Sequence, residues 1–109
     1  MRRLLLAASV AGAIDTLSFV VSRRRALLAN PGRGVGSLVG LGLWSALAAD
    51  AALTRRSGPR TLALAAAVGL GSAGLLAVHL RGGVRNPRIA VGSGLAAVAL
   101  AAAALDARA

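Results

Sequence analysis

An all-α integral membrane four-helix bundle is the fold the sequence predicts, and three observations predict it. The 109 residues are 57% hydrophobic with a mean hydropathy of +0.75, an apolarity that a surface in water could not carry. The arginines fall in short clusters separated by nearly uncharged stretches, each close to the ~20 residues a helix needs to cross a hydrocarbon core. Those stretches also lack the polar stripe of a water-soluble amphipathic helix. Thr61–Leu80, for example, offers only Ser72 and the terminal His79.

The first span covers 4–22. Its opening, "MRRLLLAASVAGA", has the features of a secretory signal: Arg2, Arg3, an apolar run and a small-residue site at Ala11-Gly12-Ala13. The apolar run continues to Val21 and stops at Arg23, Arg24 and Arg25, so a retained first helix is expected. The second span, 35–53, follows "NPGRGVGS", in which Asn30 is placed to cap a helix and Pro31 to sit in its first turn. The third, 61–80, follows the cluster of Arg55, Arg56 and Arg60. The fourth, 89–105, follows "RNPRIAVGS", with Arg85, Asn86, Pro87 and Arg88. Residues 1–109 form a single transmembrane domain.

A shift of 56 positions lays Asn30-Pro31 on Asn86-Pro87, Val35-Gly36-Ser37 on Val91-Gly92-Ser93, and Asp50 on Asp106. Two readings follow: two independent helix caps, or two tandem helical hairpins related by internal duplication. Under duplication the two units enter the membrane in the same orientation, with a pseudo-symmetry axis along the membrane normal. Both Asn-Pro turns then lie on one membrane face, and Asp50 and Asp106 near the other.

Composition narrows the function classes. The net charge of +10 could point to nucleic acid, but arginines flanking membrane helices anchor to anionic lipid headgroups. Arg23, Arg24, Arg25, Arg55, Arg56, Arg81, Arg85 and Arg88 are the residues assigned to headgroups and topology. With no cysteine, thiol redox chemistry and iron–sulfur clusters within the chain are excluded. One histidine cannot ligate a haem from both sides within a protomer. Neither a cofactor nor a metal is expected. Orientation is undecided, because the face with both termini carries six arginines and the opposite face seven, while the positive-inside rule works by asymmetry.

Small residues recur at helical spacing on every span, as at Ala8 and Gly12, Gly36 and Gly40, Gly69 and Ala73, and Gly92 and Ala96. In lipid such faces let backbones approach closely, within the monomer or between copies. Asp15 is the foremost candidate functional residue, since a charged carboxylate near mid-membrane costs ~2.5–3.5 kcal/mol on the insertion scale. It reads as a proton carrier, cation site or ligand contact, or as a hydrogen-bonded clamp between helices. Asp50, followed by Arg55 and Arg56, reads as an interfacial ion pair, and Asp106 as a solvated terminal residue. Trp44, central in its span, either fills a gap between helices or lines a ligand cavity. His79 makes an interfacial hydrogen bond, or titrates or meets a quinone or lipid headgroup.

The stretch "AVHLRGG" at Ala77–Gly83, the proline-containing turn and the final apolar helix resemble the DoxX-like family of small four-helix bacterial membrane proteins, as does "VGSLVGLGLWSALAA". The likeness covers about the last 75 residues. Leu38 and Val39 stand where that family carries an acidic residue, and Phe19 with Arg23–Arg25 replaces its Phe-and-Lys pattern. The resemblance implies an accessory subunit of the bacterial cytoplasmic membrane, in some members linked to quinone-dependent sulfur oxidation. The sequence therefore leads to a non-enzymatic accessory or structural subunit, working as a homo-oligomer or within a larger membrane complex. The alternative is a small proton-coupled transporter or channel working as a dimer, with Asp15 as its intramembrane ionisable group.

Overall fold

The computed structural model describes residues 2–54, 56–83 and 87–108. They form α1 (Arg2–Ser22), α2 (Arg24–Ala29), α3 (Pro31–Leu53), α4 (Pro59–Arg81) and α5 (Pro87–Arg108). Four of these helices are long and apolar enough to cross a membrane. Among the described residues there is no strand. At about 1.5 Å per residue, the long helices reach roughly 30–35 Å, and the molecule measures 43 × 24 × 19 Å.

The helices start earlier than hydropathy predicts. Pro31, Pro59 and Pro87 each open a helix, because a fixed φ near −65° suits the first turn and the missing N–H has no helical partner to lose. The spans therefore run past the apolar segments into the arginine-bearing ends. Asn30 stands at the cap position of α3, but its side chain makes no capping hydrogen bond. Its backbone carbonyl instead accepts from Gly34 N–H at 3.0 Å, the first bond of the helix. Asn86, its proposed counterpart, lies outside the described residues, as do Arg55 and Arg85.

The arginine run after the first span does more than stop it. Arg23 N–H donates to Phe19 O at 2.9 Å and Arg24 Nη1 to Val21 O at 3.1 Å, which satisfies the last carbonyls of α1. Arg24 and Arg25 then open the short helix α2. It turns back toward α3 by burying Leu27, whose carbonyl lies 2.9 Å from where a Cβ on Gly34 would stand. A side chain at position 34 would push this corner apart.

α1, α3, α4 and α5 form a square, up-down-up-down bundle. Each helix packs on its chain neighbour, and α1 closes the ring against α5. Diagonal pairs make no backbone approach among the described residues. α3 and α5 therefore run parallel across the diagonal.

The core occupies one half of this bundle. Leu5, Ala8 and Gly12 of α1 are buried with Trp44, Leu47 and Ala51 of α3, Ala65 and Val68 of α4, and Ala96, Ala99, Ala102 and Ala103 of α5. All lie toward the end that holds the N-terminus, the α3–α4 turn and the C-terminus. Beyond Gly12 in α1, before Trp44 in α3, beyond Val68 in α4 and before Ala96 in α5 there is no buried residue. The cause is visible in side-chain size. The packed half of α5 carries alanines at 96, 99, 102 and 103, which let α1 and α4 approach while still supplying methyl groups to pack. The open half is glycine-rich, and Gly36, Gly40, Gly42, Gly71, Gly74, Gly92 and Gly94 have no atom within 4 Å of a would-be Cβ.

Candidate functional site

Polar groups gather at two levels. The first closes the packed end. Arg2, from the start of α1, reaches across the bundle and donates to Asp106 Oδ2 at 3.0 Å, to Ser57 Oγ at 3.2 Å, and to the carbonyl and hydroxyl of Thr54. Asp106 Oδ2 also accepts from the N–H and hydroxyl of Ser57, at 2.8 and 2.6 Å. This network ties α1, the α3–α4 turn and α5 together, so Asp106 is an interhelical anchor and not the solvated end residue expected from its position.

Beside it, Asp50 has only 4% of its side chain exposed. It accepts from Arg60 Nη2 at 2.9 Å and Nε at 3.0 Å, and from the Thr61 hydroxyl. Asp50 is ion-paired, but with Arg60 of the next helix. The sequence neighbours Arg55 and Arg56 had been expected: Arg56 reaches Ala107 O at 3.4 Å instead. Thr61 also accepts from Gly58 N–H at 3.3 Å, half of a capping box that fixes where α4 begins. Asp50 thus ties the end of α3 to the start of α4.

The second level lies in the open half. Arg88, one residue inside α5, extends toward α1 and places Nε 3.4 Å from Asp15 Oδ1. Its guanidinium carbon lies 5.7 Å from the centroid of the Phe19 ring, one helical turn further along α1. Arg88 had been assigned to the headgroup region. It turns inward because a carboxylate among apolar helices draws the nearest cation, which offsets the desolvation of both. The pair is partly open, with side chains 31% and 38% exposed. Asp15 therefore sits displaced from mid-span toward the open face, at the floor of the open half.

Trp44 is 6% exposed and packs directly on Gly12. Its ring occupies the space where a side chain at position 12 would stand, with Cε2 only 2.6 Å from a would-be Cβ. A gap between α1 and α3 is thereby filled, immediately on the packed side of Asp15. His79 lies in the last turn of α4 with Nδ1 2.8 Å from Leu75 O. A carbonyl only accepts, so Nδ1 carries the proton, and the ring is held on its own helix away from Asp15.

The sequence candidates thus divide. Trp44 packs on Gly12, three residues before Asp15 in α1, whereas His79 and the Asp50 cluster lie on other helices. Among the described residues no group of acidic or histidine side chains could hold a metal ion. No protein-family model, curated protein or solved structure matches the chain. The geometry alone carries the functional argument. The residues sequence reasoning passed over are Arg2, Ser57 and Thr61, which look like ordinary terminal and loop residues. The one sequence signal for their cluster is the alignment of Asp50 with Asp106, which places both carboxylates at the same end.

Proposed function

We propose that the chain is a non-catalytic accessory subunit of a bacterial cytoplasmic-membrane complex, in which partner helices complete its open half. The observation that carries this reading is the confinement of the buried residues of the four long helices to one end of the bundle, Leu27 of α2 being the one described residue buried at the other end, where the glycines are uncovered. In lipid, helices associate by close backbone approach at small residues, and this surface offers such faces on α3, α4 and α5. The likeness to DoxX-like proteins at "AVHLRGG" and the proposed duplication, with Pro31 and Pro87 both opening helices, fit the same picture.

Gly40→Leu tests it. Nothing within the monomer meets a side chain at position 40, so the fold should be retained. Association with partner helices should fall at least about tenfold, because bulk at such a face blocks backbone approach. Chemical cross-linking in native membranes reads the outcome. Unchanged cross-linking with a folded variant would remove the basis for this reading.

A second reading is favoured by the Asp15–Arg88 pair at the floor of the open half: a small proton-coupled transporter, with Asp15 as the exchanging carboxylate. The two separate on Asp15→Asn. An accessory subunit should tolerate it, since an amide still accepts from Arg88. A transporter should lose proton-coupled flux into liposomes completely. Topology reporters at both termini distinguish them further, with one orientation expected for the accessory subunit.

A further inference from the structure

The outer seam between α4 and α5 opens into an apolar groove of about 480 Å³, with Gly69, Ser72, Ala73, Ser93, Ala97 and Leu100 among its walls. That volume lies within the ~300–1,000 Å³ of pockets that hold small ligands. One wall residue is unusual. Ser9, Thr16, Ser22 and Thr54 each donate their hydroxyl to the carbonyl four residues earlier, the ordinary way for a helical hydroxyl to be satisfied in an apolar setting. Ser93 Oγ is fully buried and makes no hydrogen bond, the only such side-chain atom among the described residues. A buried polar atom without a partner is costly in an apolar environment, and this one belongs to the wall of a groove.

We propose that the groove holds one acyl chain of an anionic phospholipid, with an ester carbonyl accepting from the Ser93 hydroxyl once that side chain turns about χ1 to face the groove, and the phosphate at Arg81. This goes beyond partner packing and rests only on α4 and α5 crossing a bilayer. The order of chemistry along the seam matches the order along a phospholipid. Exposed Arg81 ends α4, beyond Leu76, the last α4 residue of the groove wall. Leu76 lies five residues below it on α4, and Ser93 lies the same distance below the Arg88 level on α5, about 7.5 Å in each case. Ester carbonyls sit just beneath the phosphate in a bilayer, and the acyl chain continues from there. Below Ser93 the walls are alanine, glycine and leucine, with Ser72 the one polar residue, down to Ala66 and Leu100. Charge agrees as well. Between Thr61 and Leu105 the chain has no acidic residue, and its cations all fall at the turn from Arg81 to Arg88. Arg88 is paired with Asp15 of α1, so Arg81, with no acidic residue near it in the hairpin, is the cation offered to a phosphate.

The test reconstitutes the full chain in vesicles of equal phosphatidylglycerol and phosphatidylcholine, then counts retained lipid by native mass spectrometry after gentle detergent extraction. The wild-type chain should retain phosphatidylglycerol preferentially, at one molecule per chain. Arg81→Gln should reduce that preference about fivefold, the contribution of one arginine near an anionic headgroup. Ser93→Ala should reduce retention of both lipids about fivefold, as expected for one lost hydrogen bond. The pair Ala73→Leu with Ala97→Leu, both exposed positions on the walls, should fill the groove and abolish retention. Circular dichroism and flotation with the vesicles establish that each variant is folded and inserted, so failure of the membrane reading is separable from failure of the site. Equal retention of the two lipids, or full retention by folded Ser93→Ala and by the filled groove, would overturn the proposal. So would a filled groove that alters only self-association, which would assign the seam to a second copy.

Discussion

Trp44→Ala should destabilise the bundle by about 3 kcal/mol, the lower end for removal of a large buried aromatic side chain. The lower end applies because lipid is as apolar as the core, leaving lost packing contacts as the main term. Gly12→Ala should also destabilise, by about 1–3 kcal/mol, since a methyl group there overlaps the Trp44 ring. This outweighs the gain of up to about 1 kcal/mol that alanine has over glycine within a helix. The decisive result is the combination. With Trp44 already replaced by alanine, Gly12→Ala should become neutral or stabilising, because only helix propensity remains. Unfolding in mixed micelles, followed by circular dichroism, gives all four corners of the cycle. If Gly12→Ala costs the same in both backgrounds, the α1–α3 contact is not the one described.

The second large effect is an asymmetry at the packed end. Arg60→Ala should cost about 2 kcal/mol, because it leaves the buried Asp50 carboxylate without its cation. Asp50→Asn should cost only about 1 kcal/mol, the scale of a weakened hydrogen bond. An amide can still accept from Thr61, and Arg60, already 75% exposed, returns to water without difficulty. In the double variant most of the Arg60→Ala penalty should disappear, since no buried charge is left uncompensated. Equal costs for the two single variants would show that losing Arg60 does not leave a costly buried charge at Asp50. The same micelle titration measures each of them.

Both effects arise from contacts between helices, and this marks where the sequence stops being readable. The four spans are legible because lipid imposes a length and an apolarity that neither packing nor partners can override. The helices begin about two to four residues before the apolar segments, since hydropathy marks where charge ends, whereas α3, α4 and α5 begin at the preceding proline. The Asn30 side chain does not cap α3, for a related reason. The residue type favours capping, but the backbone entering from α2 sets where its side chain points.

Site residues divide in the same way. Asp15 stood out in the sequence because a lone carboxylate in an apolar span is costly wherever it points. Its partner Arg88, distant in the chain, could not be read, since hydropathy assigns such an arginine to the headgroups. Asp106 looked like a terminal residue in water until Arg2 and Ser57 were brought to it.

The sequence by itself determined that the chain is helical, that four segments are long and apolar enough to cross a membrane, and where glycine and arginine concentrate. These are one-dimensional properties, fixed by the transfer energy of each residue and by the need to satisfy every backbone group within a span. Only the tertiary structure decided that the bundle is packed at one end and open at the other. It also decided that Asp15 faces Arg88 and that Trp44 stands over Gly12. Those outcomes depend on the rotation of each helix about its axis and on which neighbours it meets. In a chain this rich in alanine and glycine, hydropathy is nearly uniform around each helix, so only the fit of side chains between helices can fix that rotation.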